Sequence, residues 1–99
     1  MYGTVAHCRV KPGEFDALLA MLKQWDETHG GSPKGYIASY GFRLDKDENE
    51  MILVAVFEDK DTYMANAEDP SQDEWYRRFR AHLESDPEWN DGRVLYTGE

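Results

Sequence analysis

The chain has 99 residues, with 20 acidic and 11 basic side chains and a formal net charge of -9 at pH 7. This acidity argues against a nucleic acid or an anionic membrane as the partner, because phosphate binding depends on a basic surface. The length and the 40% hydrophobic content predict one domain over residues 1–99. Cys8 is the only cysteine, and neither a signal peptide nor a membrane-spanning apolar run is recognisable, so we predict a cytoplasmic protein.

The first two predicted elements are a strand over residues 2–10 and a helix over residues 14–29. Residues 2–10 contain several β-forming side chains, and the Lys-Pro-Gly segment at 11–13 ends the strand. In the helix, apolar side chains recur at intervals of three and four, which is amphipathic spacing; they are Phe15, Leu18, Leu19, Leu22 and Trp25.

Two further strands form the predicted centre of a sheet. A turn at 30–35 leads into a strand over residues 36–44, and a polar loop at 45–50 leads into residues 51–57, MILVAVF. Seven consecutive apolar residues, three of them β-branched, are typical of a strand that is buried on both faces. Because the loop between the two strands is short, they are predicted to pair as an antiparallel hairpin.

Two helices are predicted after the hairpin. Asp59 or Asp61 can cap a short helix, which the Asp-Pro pair at 69–70 ends. Ser71 and Glu74 have the spacing of a capping box for a second long helix. The apolar stripe of this helix comprises Trp75, Tyr76, Phe79 and Leu83.

The C-terminal segment completes the predicted sheet. The second long helix is predicted to end at the Asp-Pro pair at 86–87, and residues 89–92 read as a turn. Residues 93–97 then form a short last strand. Setting the short helix aside, the order is βαββαβ, which predicts an α+β, ferredoxin-like fold with a four-stranded antiparallel sheet and the helices on one face.

One face of this predicted sheet has no helix to cover it. Residues 51–57 are apolar on both faces, so Ile52, Val54 and Val56 would contact water at a cost of roughly 1.5–3 kcal/mol each. A second copy of the chain is the simplest cover. We therefore predict a homodimer in which two sheets pack face to face about a twofold axis, a dimeric α+β barrel.

Three segments resemble the antibiotic biosynthesis monooxygenase family of the dimeric α+β barrel group. They are VKPGEF at 10–15, VFED at 56–59 followed by a helix with Tyr63, and the Asp-Pro pair at 69–70. The resemblance implies a ligand pocket between sheet and helices and a cofactor-independent monooxygenase acting on a small aromatic, quinol or anthrone-like compound. The alternative is a non-catalytic homodimer that binds a small ligand, since one fold can serve both functions.

The haem-degrading branch of the same group resembles this chain less. That branch uses an asparagine on the first strand, a tryptophan at the end of the third strand and a histidine in the following helix. The corresponding positions here are Ala6, Phe57 and a residue near Trp75. Haem degradation is therefore not expected, and the predicted activity needs no cofactor.

His7 and Tyr40 are the candidate catalytic residues. An imidazole near neutral pKa could take a proton from a phenol or quinol, and Tyr40 could donate a hydrogen bond to the resulting anion. Strand alternation places His7 opposite Ala6, so His7 faces the dimer interior if Ala6 faces the helices, and a structural histidine is the alternative. Alternation also places Tyr36, Tyr40 and Phe42 on one face of the second strand.

Phe57, Trp75 and Tyr76 are the candidate substrate-binding residues. Phe57 ends the third strand, where an aromatic ring could stack on a flat substrate. Trp75 and Tyr76 begin the second long helix and could close the pocket with a ring and a hydroxyl group. For all three, packing in the core is the alternative, because aromatic side chains at helical spacing are often core residues.

No metal site is predicted. Cys8 and the three histidines lack the spacing of zinc ligands, and no glycine-rich turn offers a nucleotide site. The acidic loop that begins at Asp45 resembles a calcium loop, but Glu50 and Val56 replace its required glycine and glutamate. A basic cluster remains, which could attract an anion or form a solvated helix face; it comprises Arg77, Arg78, Arg80 and His82.

Overall fold

A computed structural model describes residues 1–29 and 33–98 of the chain. Its elements are β1 (Tyr2–Arg9), α1 (Phe15–His29), β2 (Tyr36–Arg43), β3 (Glu50–Phe57), α2 (Lys60–Ala67), α3 (Pro70–Arg80) and β4 (Glu88–Arg93). Residues 30–32 of the predicted turn before β2 lie outside the described residues. No helix in the described ranges has the length and apolar composition needed to cross a membrane.

The four strands form one antiparallel sheet in the order β2-β3-β1-β4. β3 thus lies between β1 and β2 as an inner strand, as the continuous apolar sequence of residues 51–57 predicts. β1 and β3 approach closely at Gly3, where any Cβ atom would overlap the carbonyl oxygen of Ala55. The predicted α+β, ferredoxin-like fold is confirmed.

The core lies on one face of the sheet, called here the helix-side face. It joins alternate side chains of β1 and β3 to α1, to α3 and to the segment that follows α3; its buried members are Ala6, Cys8, Val10, Phe15, Leu18, Met51, Phe79 and Leu83. Alternate side chains of a strand point to one face, and helix side chains three or four residues apart lie on one side. These periods direct the apolar side chains of both kinds of element into the same core. Both long helices therefore pack their apolar sides against the sheet, as their amphipathic patterns predict.

The opposite face, called here the open face, carries exposed apolar side chains. Val54 of β3 lies between its cross-strand partners Val5 of β1 and Tyr40 of β2, and Ile52 lies beside Phe42 in the same way. Tyr40 is 60% exposed, Phe42 54% and Val5 47%. A contiguous exposed apolar patch of this kind is typical of an interaction surface.

The last strand differs from its prediction. β4 spans Glu88–Arg93, so the predicted turn at 89–92 is part of a strand and the predicted strand at 93–97 is wrong. All six residues of β4 are exposed, and pairing runs from His7↔Glu88 to Tyr2↔Arg93. Backbone hydrogen bonds to β1 determine this edge strand, whereas its polar sequence carries no strand pattern.

The start of α3 also differs. Asp69 is the N-cap, since its side chain accepts a hydrogen bond from the Ser71 backbone at 2.8 Å, and Pro70 occupies the first turn. The predicted capping box at Ser71 and Glu74 is therefore wrong, because a better acceptor precedes a proline that favours the first helical position. The helix ends at Arg80 rather than at 86–87. At α2 the predicted cap Asp59 is confirmed, with a 2.8 Å bond from the Thr62 backbone.

Candidate functional site

A cavity lies between the helix-side face and the helices, and it has two lobes. The lobes share a wall that comprises Leu53, Ala55, Phe57, Asn66, Gln72 and Trp75. The α1 lobe, of about 460 Å³, extends from this wall toward Trp25 and Tyr36. The β4 lobe, of about 440 Å³, extends toward Tyr63 and Asp91. Both volumes fall within the range usual for small-molecule sites.

The wall is formed by regular elements on both sides. Alternation along β3 points Leu53, Ala55 and Phe57 to the helix-side face. Across the cavity, the Trp75 ring of α3 stacks on buried Phe79, with 5.0 Å between ring centroids and 13° between the ring planes. Because Phe79 is fixed in the core, it holds the Trp75 indole in one orientation toward the lobes.

Aromatic rings continue from the wall into both lobes. Phe57 meets Tyr36 on one side and Tyr63 on the other, edge to face, with 5.7 Å between centroids in each pair. Tyr63 also contacts Tyr2 at 5.2 Å. At the far end of the β4 lobe, the rings of Tyr76 and Trp89 lie 6.3 Å apart. A flat, apolar ligand is the kind of molecule that such walls favour.

Polar groups enter the β4 lobe from four elements, β1, α2, α3 and β4. The Tyr63 hydroxyl of α2 donates a hydrogen bond of 2.9 Å to Asp91 Oδ1 of β4. Thr4 of β1 is the cross-strand partner of Asp91, and its hydroxyl oxygen is buried without a hydrogen-bond partner among the described residues. At the shared wall, Asn66 donates to Gln72 Oε1 at 3.4 Å, which leaves each amide with further hydrogen-bonding capacity.

The Tyr63 phenol is held in its neutral form. Burial raises the pKa of Tyr63 to about 12, and the hydrogen bond to Asp91 and the charge of Asp91 add to the rise. The nearby Thr4 hydroxyl opposes this rise in the pKa. Tyr63 therefore acts as a hydrogen-bond donor, and not as a base, near neutral pH.

This shift leads to a pH prediction. An unfolded tyrosine ionises near pH 10, whereas folded Tyr63 keeps its proton up to about 12, so the folded state binds more protons in this window. The free energy of unfolding should therefore fall as the pH rises from about 10 to 12. Denaturant titrations at several pH values should show a smaller fall for Tyr63→Phe than for the control Tyr96→Phe, whose ring is exposed. Equal falls would contradict the shift.

The cavity brings together three of the five side chains proposed from the sequence. Phe57 and Trp75 belong to the shared wall, and Tyr76 lines the β4 lobe. His7 lies on the open face, with its Nε2 atom 3.5 Å from Glu50 Oε2. Tyr40 also lies on that face and borders a groove between α1 and β2 that adjoins the cavity at Leu53 and Trp75. A chemical role for these two residues stays a prediction.

Tyr40 is separated from Tyr36 by an irregularity in β2. The register shifts between Tyr36 and Ala38, so Tyr36 pairs with Phe57 whereas Tyr40 pairs with Val54. The prediction that Tyr36, Tyr40 and Phe42 share one face is therefore wrong for Tyr36. An inserted residue in one strand reverses the alternation, and the sequence has no signal that marks its position.

Several cavity residues were not proposed from the sequence. Asn66 and Gln72 lie near the facing ends of α2 and α3, and Thr4 precedes the helix-side residue Ala6 by one period of the strand. That alternation was an available signal for Thr4. Asp91 had the composition of a turn, so only the pairing of β4 with β1 reveals its place in the cavity.

The other titratable candidates have structural partners. The arginines of the basic cluster form ion pairs, as expected of a solvated helix face. The pairs are Arg77–Asp73 at 3.6 Å, Arg78–Glu74 at 2.8 Å and Arg80–Asp86 at 2.8 Å. Burial raises the pKa of the Cys8 thiol to about 11, which makes it a poor nucleophile at neutral pH. No group of three or more metal-ligating side chains occurs within residues 1–29 and 33–98.

The fold and the cavity together define a class, a ferredoxin-like sheet whose helix-side face encloses an aromatic-walled site. No family model and no curated protein matches the sequence. Solved structures do match the fold. A variant of SnoaB, a cofactor-independent oxygenase from Streptomyces nogalater, gives a TM-score of 0.75 at 18% identity, covering 97% of this chain and 94% of SnoaB.

Two further structures support the same comparison. A conserved protein from Methanosarcina mazei Go1 has a TM-score of 0.79 at 17% identity, with 93% of this chain and 90% of that protein covered. An antibiotic biosynthesis monooxygenase has a TM-score of 0.76 at 17% identity, and the match covers 97% of this chain and 100% of that protein. The predicted resemblance to the antibiotic biosynthesis monooxygenases is thus confirmed for the fold.

Proposed function

We propose that the protein is a cofactor-independent monooxygenase whose substrate is a small aromatic compound of the quinol or anthrone type. The observation that carries the proposal is the aromatic-walled cavity on the helix-side face. Phe57 of β3 and Trp75 of α3 provide ring surfaces on opposite sides of the cavity. Tyr76 closes the β4 lobe. The similarity in fold to SnoaB and to an antibiotic biosynthesis monooxygenase supports the same reaction class.

The proposed reaction needs only substrate and dioxygen. An anthrone would lose the two hydrogens of its methylene carbon, and that carbon would become a carbonyl group. One oxygen atom of O₂ enters the carbonyl and the other leaves as water, so the substrate supplies all four electrons. The protein would contribute by binding and orienting the ring in the cavity, where dioxygen can react with it.

The proposal includes a homodimer formed through the open face. Val5, Val54 and Tyr40 lie side by side across three strands, and a second sheet would bury them. His7 and Tyr40 would then lie in the interface rather than in the cavity.

Oxygen uptake tests the function. Protein treated with a chelator is mixed with anthrone or with a naphthalene diol, and oxygen consumption is followed together with the product. With ¹⁸O₂, we expect one labelled atom in each product molecule and the other in water. Tight binding of an unreactive aromatic compound, without turnover of any compound in the panel, would instead identify a ligand-binding dimer.

A cavity-filling substitution locates the reaction. Ala67 is exposed on α2 and lines the β4 lobe, so Ala67→Trp should occupy the lobe with little strain on the core. We expect kcat/KM to fall by roughly 100-fold, since a misplacement of the substrate by about 1 Å can cost this much. Ala65→Trp is the matched control, because Ala65 is also an exposed alanine of α2 and does not line either lobe. Equal activity of the two variants would place the reaction elsewhere.

A further inference from the structure

The polar end of the β4 lobe contains a hydrogen-bonded pair that the proposed function does not yet use. Tyr63 and Asp91 are 28 residues apart and meet at 2.9 Å, in a lobe otherwise lined largely by apolar and aromatic side chains. Beside them, Thr4 is 5% exposed and has a hydroxyl oxygen without a partner in the described part of the chain. Buried hydroxyl groups are usually hydrogen-bonded, so this end of the lobe has unused polar capacity.

The geometry leaves Asp91 able to accept more hydrogen bonds. A carboxylate has about four acceptor positions, and Tyr63 uses one of them, on Oδ1. Asp91 is exposed and lines the lobe, so a ligand can approach it from the cavity. Asp73 also lines the lobe, but it pairs with Arg77 at 3.6 Å. Asp91 is thus the carboxylate best placed to meet a ligand.

We propose that Asp91 selects substrates by accepting the hydrogen of a ring hydroxyl group and that it takes this proton when the ring is oxidised. This inference rests on the proposed function for its proton-transfer step, whereas the recognition of a phenolic or enolic hydroxyl stands on the geometry of the lobe. The substrate class is therefore a flat aromatic molecule with at least one free hydroxyl group, bound with that group toward β4.

The first step balances with dioxygen as the oxidant. The substrate ArOH gives one electron to O₂, which becomes superoxide, and the O–H bond breaks as its proton moves to the Asp91 carboxylate. The products of the step are a neutral aryloxyl radical, superoxide and the protonated Asp91 side chain. Loss of an electron makes a phenolic hydroxyl strongly acidic, which is why a carboxylate can accept its proton.

Tyr63 is a positioning residue in this scheme. Its hydroxyl holds the Asp91 carboxylate at the end of the lobe while Asp91 is charged. When Asp91 gains a proton, it no longer needs the Tyr63 hydrogen, and Thr4 offers a nearby oxygen without a present partner. The Tyr63 and Thr4 hydroxyls can then form a hydrogen bond, which would satisfy the buried Thr4 oxygen.

Binding of two matched probes tests the recognition directly. At about pH 6, 4-nitrophenol is mostly uncharged and aspartates are ionised, and 4-nitroanisole has the same ring without the hydroxyl hydrogen. We expect the native protein to bind 4-nitrophenol at least tenfold more tightly, and Asp91→Asn to lose roughly tenfold of this preference, because a charged acceptor is replaced by a neutral one. Asp45→Asn is the matched control and should keep the preference, because Asp45 is exposed in the loop between β2 and β3 and lines neither lobe.

The absorbance of bound 4-nitrophenol gives a second readout, which a purely structural Tyr63–Asp91 contact would not affect. A carboxylate beside the probe should raise the pKa of bound 4-nitrophenol above that of the free compound, and Asp91→Asn should abolish the rise. Unchanged preference and unchanged titration in Asp91→Asn, or no measurable binding of either probe by the native protein, would overturn the proposal. An Asp91-dependent preference without oxygen uptake would uphold the recognition and reject the monooxygenase function.

Discussion

Val54→Glu is expected to convert the proposed homodimer into folded monomers. Val54 lies at the centre of the open face, between Val5 of β1 and Tyr40 of β2. In a dimer with sheets packed face to face, each subunit would bury an unpaired carboxylate there, at a cost of at least about 3 kcal/mol. This cost raises the dissociation constant more than roughly 100-fold. Sedimentation equilibrium or light scattering over a range of concentrations measures the change.

The control places the same charge on the outer surface of α1. Ala20 is an exposed residue of that helix and does not line the groove that Tyr40 borders. Ala20→Glu should leave the molar mass unchanged, and circular dichroism should show a native spectrum for both variants. A native protein that is monomeric at micromolar concentration, or a Val54→Glu variant that stays dimeric, would contradict the proposed interface.

Leu18→Ala is expected to lower the free energy of unfolding by about 2–5 kcal/mol. Leu18 is fully buried in the core cluster, where α1 meets the helix-side face. Removing its branched side chain loses the transfer free energy of the buried atoms and leaves a cavity that the neighbouring side chains fill only in part. Chemical denaturation measures the effect, at one fixed protein concentration because a dimer gains stability by mass action.

The adjacent residue provides the control for this change. Leu19→Ala has the same chemical difference and the same change in helix propensity, at a position that is 45% exposed. We expect it to cost about 1 kcal/mol or less. Similar losses for the two variants would mean that α1 does not pack on the sheet as described.

The predictable part of the fold is the part in which apolar periodicity and burial coincide. The inner strand at 50–57 and the amphipathic helices at 15–29 and 70–80 were recognisable because their side chains follow the geometry of the element. β4 was not recognisable, since an exposed edge strand has no apolar face and is formed by backbone pairing to β1. The bulge in β2 left no signal for a different reason, because an inserted residue changes the register of a strand without changing its composition.

The candidate site divides in the same way. Phe57 and Trp75 could be proposed as site residues from the sequence. Phe57 ends an apolar strand and Trp75 belongs to the apolar stripe of a helix, and each pattern predicts which way the ring points. The Tyr63–Asp91 pair combines an α2 residue with one from a segment that has the composition of a turn. Neither residue has a local pattern that points to the other, and His7 and Tyr40, which have suitable chemistry, lie on the open face.

The sequence by itself determined the order of the elements, the two-sided apolar character of residues 51–57 and the acidic surface, because these depend on local composition and period. Only the tertiary structure decided which side chains share the cavity. The reason is that cross-strand register and helix placement bring together residues far apart in the chain, as Tyr63 and Asp91 are. The side chains of residues 51–57 now have distinct surroundings: Leu53, Ala55 and Phe57 form the cavity wall, and Ile52, Val54 and Val56 lie on the open face.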